Sequence, residues 1–186
     1  MKMTPDGFWD YTRKWQKDFA GNRPVAWEKY WIENDFCKDC RFCCGPQDSD
    51  IPFPMPLLER QRREHLDRDF HLLDSLTPYL AAPGCKACGT EGCRLKLEEK
   101  PLACGFFPVV LANGGLYLYK NCPAVIFSPL IRFMELGLKV GEYLQTLDLD
   151  ELRRLSLWLN CDTLSRSYID LRISLFRDNA KEMALD

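Results

Sequence analysis

Residues 37–44 read Cys-Lys-Asp-Cys-Arg-Phe-Cys-Cys, so four cysteines fall within eight residues. Two C-x-x-C spacings in series are typical of loops that wrap an iron-sulfur cluster, and a single C-x-x-C also begins many zinc ribbons. On a straight helix Cys37 and Cys44 would lie about 10 Å apart along the axis, whereas four sulfurs on one zinc lie within about 4 Å of each other. The segment is therefore expected to coil around a metal or to serve more than one metal centre.

A second group of cysteines follows later in the chain. Its members are Cys85, Cys88, Cys93, Cys104 and Cys122. The two groups together supply nine thiols, more than one tetrahedral site can use. Two four-ligand centres, or one cluster plus a zinc ion, would account for eight of them. Because cysteines that only fill a core have no reason to occur in x-x register, we predict a metal-binding cysteine region at residues 37–123.

Composition limits the classes of function. Lys and Arg total 25 against 27 Asp and Glu, so the chain has no net basic field for nucleic acid or an anionic lipid surface. No stretch approaches the roughly 18 uncharged apolar residues of a membrane span, and the N-terminal residues lack the apolar run of a secretory signal. We expect a cytoplasmic protein that binds neither nucleic acid nor membrane. In a reducing compartment its cysteines are expected to be metal ligands or redox groups rather than disulfides.

The remaining patterns predict a mainly α-helical fold in a single domain, residues 1–186, with a loop-rich cysteine region and one small β-hairpin. The first 36 residues are expected to be helical, with Trp27 and Trp31 four residues apart. Residues 128–178 are expected to form a pair of helices. The first would begin at Ser128 and Pro129, and the second near Asp148, where Glu151 completes a capping box.

The hairpin is predicted at Asn113 and Gly114, because Asn-Gly between apolar runs favours a two-residue turn. Such a turn pairs residues whose numbers sum to 227, which sets Leu111 against Leu116 and Val109 against Leu118. Continued outward, the same register would place Gly105 opposite Cys122. Cys104 and Cys122 are therefore predicted to share a metal site or to face adjacent sites at the open end of the hairpin.

Three residues that could ligate a metal are set aside. His65 and His71 are six residues apart, so on a helix they would point about 120° away from each other. Cys161 belongs to an apolar series with steps of 4, 3, 4, 3 and 4, which is typical of a helical packing seam. The series consists of Leu157, Cys161, Leu164, Tyr168, Leu171 and Leu175. Cys161 is therefore predicted to be a core residue rather than a ligand.

The order of the cysteine motifs resembles the YkgJ-like cysteine-cluster family, described as zinc- or iron-chelating proteins. The resemblance covers residues 37–123 and lies in C-x-x-C-x-x-C-C, Cys85, Gly92-Cys93, Lys100-Pro101-Leu-Ala-Cys104, Phe107-Pro108 and Cys122-Pro123. It implies that Cys88 is an extra thiol. It also implies eight metal ligands, namely Cys37, Cys40, Cys43, Cys44, Cys85, Cys93, Cys104 and Cys122.

The chain departs from that family in charge. The family commonly has Arg-Pro before, and Arg just after, the cysteine that matches Cys104. Here those positions are Lys100-Pro101 and Gly105, so the resemblance does not extend to a role of the arginines in binding a partner or substrate.

Three classes of function remain open at this point. The first is a redox, metal-handling or accessory module that holds an iron-sulfur cluster or Zn²⁺ and acts on a protein client. All-thiolate ligation suits both metals, and the neighbouring Phe42, Phe106 and Phe107 slightly favour iron-sulfur. The second is a metal-dependent enzyme, since the flagellin lysine methylases have a similar cysteine cluster, but the chain carries no nucleotide-binding glycine motif. The third is a structural zinc module that presents a helical interaction surface.

Overall fold

A computed structural model of the chain describes residues 25–28, 31–34, 43–44, 53–54, 56–61, 79–80, 84–90, 92–96 and 99–176. The described helices are α1 (Leu102–Phe106), α2 (Pro123–Phe127), α3 (Leu130–Leu144), α4 (Leu149–Leu155) and α5 (Cys161–Ser167). The described strands are β1 (Val25–Glu28), β2 (Trp31–Asn34), β3 (Phe53–Pro54), β4 (Tyr79–Leu80), β5 (Cys88–Gly89), β6 (Gly92–Cys93), β7 (Val109–Ala112), β8 (Gly115–Tyr119) and β9 (Tyr168–Ser174).

The largest described sheet has three antiparallel strands in the order β7-β8-β9. The predicted hairpin is confirmed, because Leu111 pairs with Leu116 and Val109 pairs with Leu118. Its turn residues Asn113 and Gly114 have φ angles of 47° and 74°. A type I′ turn needs a positive φ at both central residues, and Asn and Gly are the residues that adopt it most readily.

Helix α3 covers one face of this sheet and closes the hydrophobic core. Its buried side chains include Phe133, Leu136 and Val140, which belong to the same core cluster as Leu116 and Leu118 of β8. Gly137 allows the close approach of helix and sheet, since a Cβ atom there would lie 2.7 Å from Leu171 Cδ1 of β9. Burial of these apolar surfaces is the main force that holds the helix on the sheet.

The prediction of a mainly α-helical fold is wrong, because the described fold mixes helices with a three-stranded sheet. The largest difference lies in the predicted C-terminal helix. Residues 168–174 form β9, which pairs with β8 rather than packing as a helical seam. Leu157 is extended, and its N–H donates to Leu111 O at 3.0 Å. The apolar series therefore runs through an extended residue, a short helix and a strand instead of one helix. The described part of the predicted helical pair over 128–178, which ends at residue 176, consists of α3, α4, α5 and β9.

The N-terminal part also differs from its prediction. β1 and β2 form an antiparallel pair in which Trp27 lies opposite Ile32 and Glu28 opposite Trp31. The segment is rich in Val, Trp and Ile, which are residues that favour strands. The four-residue spacing of Trp27 and Trp31 arises because they lie in adjacent strands with two residues between the strand ends. The rest of the predicted helical region, residues 1–24, 29–30 and 35–36, lies outside the described residues.

The sequence signal for α4 is confirmed. Asp148 is its N-cap, and a carboxylate oxygen of Asp148 accepts a 2.8 Å hydrogen bond from Glu151 N. Helix α3 begins at Leu130 with Pro129 as its N-cap, and no side chain caps it. Among the described residues, no helix is long and apolar enough to cross a membrane.

Candidate metal centre

The two cysteine groups meet through the backbone. Cys85 N donates a 3.0 Å hydrogen bond to the carbonyl oxygen of Cys44. Cys43 and Cys44 form a turn and are both partly buried. This bond links positions 41 residues apart, so the fold places the end of the C-x-x-C-x-x-C-C segment beside the start of the second C-x-x-C. The structure thus brings together two groups that the sequence only suggested were related.

The second C-x-x-C closes a tight turn that leads into a small hairpin. Cys88 N donates to Cys85 O at 3.0 Å, and the next residues form β5, which pairs with β6. The backbone N–H groups of Ala87 and Cys88 also hydrogen-bond the sulfur of Cys85 and lower its pKa, which opposes the larger effect of burial. Backbone N–H donors aimed at a sulfur stabilise the thiolate, which is the form that binds a metal.

Cys104 approaches the group from a third element, the short helix α1. The start of this helix is held by Gln61, whose side-chain oxygen accepts from Leu102 N at 3.2 Å and whose amide donates to Lys100 O at 2.9 Å. Gln61 has only 6% of its surface exposed. Pro101 provides no side-chain cap for α1. Gln61 therefore caps the first turn of this helix and fixes the position of Cys104.

The thiols interact electrostatically around Cys104. Burial raises the pKa of the Cys104 thiol well above its usual range, and the nearby thiols of Cys85, Cys93 and Cys44 raise it further. Although Cys104 as a residue is partly exposed, desolvation of its sulfur is the largest cause. Burial also raises the pKa of Cys85, with contributions from Cys93 and Cys44. Burial, and secondarily the neighbouring thiols, therefore favour the protonated form of Cys104 and Cys85 in the absence of a cation.

An apolar cleft adjoins the cluster, and Cys43 and Cys104 both lie in its wall. The other lining side chains include Phe106, Phe107 and Val109, so one side of the cluster is in an environment of low polarity. Such surroundings strengthen the attraction between thiolates and a metal cation.

The other predicted site residues are placed differently. Cys122 is the N-cap of α2, has 7% of its surface exposed and belongs to the main hydrophobic cluster. Gly105 is helical and does not pair with Cys122, so the predicted extension of the hairpin is wrong; the shared site of Cys104 and Cys122 stays a prediction. Cys161 is exposed at the first position of α5, so its assignment to the core is wrong. Cys37 and Cys40, like His65 and His71, lie outside the described residues.

Within the described part of the chain, no three Cys, His, Asp or Glu side chains are arranged to hold a metal ion. None of the eight described cysteines is joined to another of them by a disulfide. The donor chemistry nevertheless fits soft or borderline metals, since the cluster offers only sulfur ligands. Ligation would require the sulfurs around Cys104 to draw closer.

Sequence reasoning missed two residues of this region. Cys88 was set aside as an extra thiol, yet it lies directly opposite the candidate ligand Cys93 in the β5-β6 hairpin. Its signal was present in the sequence as Cys-Gly-Thr-Glu-Gly-Cys at residues 88–93, two cysteines around a glycine-bounded turn. Gln61 had no comparable signal, because its partners are residues 39 and 41 positions later.

No protein-family model, no curated protein and no solved structure matches this chain. The resemblance to the YkgJ-like family therefore stays a prediction that rests on its cysteine motifs alone.

Proposed function

We propose that the chain is a metal-binding protein with all-cysteine ligation, holding an iron-sulfur cluster or Zn²⁺ and acting in the cytoplasm as a redox, metal-handling or accessory module. The observation that carries the proposal is the meeting of the two cysteine groups, in which Cys85 N donates a 3.0 Å hydrogen bond to Cys44 O. The thiols of Cys85, Cys93 and Cys44 also act electrostatically on Cys104. These thiols come from three separate parts of the chain. Apolar packing gives no reason for thiols from such distant positions to meet.

The energetics of the cluster also favour a cation. Four thiolates in a partly buried site repel each other, and a bound cation would replace that repulsion with attraction. Zinc or an iron-sulfur cluster would supply a positive centre that crosslinks the segments and, in the case of iron, would add electron transfer. The chain contributes the ligands, the N–H donors of Ala87 and Cys88 at the sulfur of Cys85, and the apolar wall beside Cys104.

The candidate ligands are those of the cysteine motifs. Within the described residues, the members that act on one another electrostatically are Cys44, Cys85, Cys93 and Cys104. Cys37, Cys40, Cys43 and Cys122 complete the proposed set of eight. Eight sulfurs match two four-ligand centres, or one cluster and one zinc ion.

The proposal is tested by anaerobic purification of the full chain, followed by elemental analysis and a visible absorption spectrum. Brown protein with iron and sulfide supports a cluster, and colourless protein with stoichiometric zinc supports a zinc site. Protein that contains neither metal, and that takes up neither on anaerobic reconstitution, contradicts the proposal.

Two matched variants locate the site. Cys104→Ser is expected to lower the amount of bound metal, because it removes a thiol on which Cys85, Cys93 and Cys44 act electrostatically. Cys161→Ser is expected to keep it, because Cys161 lies exposed on α5. Circular dichroism of both variants separates loss of metal from loss of fold. Equal metal content in the two folded variants would remove Cys104 from the site.

A further inference from the structure

Two cysteines face each other across a tight hairpin at residues 87–94. β5 pairs antiparallel with β6, so that Cys88 lies opposite Cys93 and Gly89 opposite Gly92. Only two residues separate the glycines in the sequence. A two-residue connection holds the register of a hairpin firmly, so the two cysteines remain opposite each other.

The hydrogen bonds of the hairpin identify the type of this cross-strand pair. Arg94 N donates to Ala87 O at 2.9 Å, which makes Ala87 and Arg94 a hydrogen-bonded pair. Hydrogen-bonded and non-hydrogen-bonded pairs alternate along an antiparallel ladder. Cys88 and Cys93 are therefore a non-hydrogen-bonded pair, the type in which side chains on the same face lie closest.

The distance between the two cysteines suits a disulfide. Opposite residues of a non-hydrogen-bonded pair have Cα atoms about 4.5 Å apart, and disulfides join residues with Cα atoms roughly 4.4–6.8 Å apart. The separation falls at the short end of that range, and the bond needs no rearrangement of the strands. We propose that Cys88 and Cys93 form a reversible disulfide by exchange with a small-molecule disulfide of the glutathione class.

The exposure of the two residues gives the order of the exchange. Cys93 is exposed, whereas Cys88 is partly buried. The Cys93 thiolate attacks one sulfur of the small disulfide, whose S–S bond breaks, and one small thiol leaves. The Cys88 thiolate then attacks Cys93 Sγ in the mixed disulfide, and the second small thiol leaves. The two protein thiols lose two electrons and two protons in total, and the small-molecule disulfide takes them up as its two thiols.

The ring that this disulfide closes is short, from Cys88 to Cys93. Closure of a short loop removes little conformational entropy from the unfolded chain, so the bond adds little stability compared with a disulfide that closes a long loop. A small thiol can therefore reverse it, and reaches it through the exposed Cys93. These properties fit a redox-controlled modification better than a structural crosslink.

The disulfide has a consequence for metal binding that rests on the proposed function. Cys93 is one of the three thiols that act electrostatically on Cys104, and a disulfide sulfur has no thiolate to offer a metal. Oxidation of the hairpin and metal binding through Cys93 would exclude each other. Metal release would then follow the ratio of small-molecule disulfide to thiol.

The experiment uses the full chain, treated with a chelator and equilibrated anaerobically in buffers of defined ratios of reduced to oxidised glutathione. Remaining thiols are trapped by alkylation and the protein is digested with trypsin. Cleavage after Lys86 and Arg94 releases residues 87–94, which contain Cys88 and Cys93 and no other cysteine. The expected product is this peptide, unalkylated and lighter by two hydrogens than its reduced form.

Three variants and the identity of the product decide the outcome. Cys88→Ser and Cys93→Ser are each expected to abolish the internal disulfide completely, and Cys88→Ser should accumulate glutathione on Cys93. Cys161→Ser, which removes another exposed thiol, should leave the disulfide unchanged. A disulfide between Cys93 and Cys85 would join two separate tryptic peptides, and its dominance would overturn the proposal. So would a wild-type peptide 87–94 that remains alkylated at both cysteines in the most oxidising buffer.

A parallel sample preloaded with zinc separates this proposal from the proposed function. Protection of the peptide from oxidation by zinc supports competition at Cys93. Formation of the disulfide to the same extent with and without zinc overturns that competition, while the disulfide itself stands.

Discussion

The side chain of Gln61 offers a test of how the helix that carries Cys104 is held. Its Oε1 accepts hydrogen bonds from Leu58 N and Leu102 N, both at 3.2 Å, and its Nε2 donates to Lys100 O at 2.9 Å. Gln61→Met keeps the length and approximate volume of the side chain but removes all three bonds. The variant therefore isolates the hydrogen bonds from the packing.

The structure gives the size of the effect. Each ordinary intramolecular hydrogen bond contributes roughly 0.5–1.5 kcal/mol, and a buried group left unpaired costs about 1–3 kcal/mol. Three such bonds at a residue with 6% exposure give an expected loss of about 3 kcal/mol in the free energy of unfolding. For a chain of this size that corresponds to a decrease in Tm of about 6–12 °C.

The assay is equilibrium unfolding in urea, with linear extrapolation and a comparison of m values. Gln145→Met serves as the matched control, because Gln145 is exposed at the end of α3 and its replacement should change stability by no more than about 0.5 kcal/mol. If the two variants unfold at the same urea concentration, Gln61 does not hold α1 in the way that its hydrogen bonds indicate.

Three further predictions concern other parts of the fold. Gly114→Ala should destabilise by at least about 2 kcal/mol, since φ is +74° and the added Cβ would meet the Phe176 backbone oxygen; a loss under 0.5 kcal/mol in urea unfolding would contradict this. Asp148→Ala should lower the free energy of unfolding by about 1 kcal/mol, because it removes the N-cap of α4. Unchanged stability in urea unfolding would contradict this prediction. Burial, and secondarily Tyr119, raises the pKa of Tyr168 to about 12, so its stabilising contribution is complete below about pH 10 and is lost as pH rises to about 12. After discounting for partial exposure, the expected loss in the free energy of unfolding is about 1 kcal/mol. The Tyr168→Phe variant should therefore lose less stability than the wild type between those pH values. Equal losses in the two proteins would contradict this prediction.

Local features can be predicted from the sequence alone where the interactions that fix them lie within a few residues. Asn113 and Gly114 adopt positive φ more readily than most residues, so the turn and the register of Leu111 with Leu116 followed directly. The cap at Asp148 is likewise a contact between positions three residues apart. For the candidate site, the sequence alone predicts the sulfur ligands, because C-x-x-C spacing is typical of metal binding in many different folds.

Features that depend on partners far away in the sequence are fixed only by the three-dimensional fold. Residues 169–175 read Ile-Asp-Leu-Arg-Ile-Ser-Leu, and this alternation competes with a helical spacing of the leucines. This segment becomes a strand because the open edge of β8 supplies the backbone hydrogen bonds of β9. In the same way, the position of Cys104 depends on Gln61, which lies about 40 residues earlier and has no local signal. Local sequence therefore determined which residues could act, and burial and pairing between distant segments decided which of them meet.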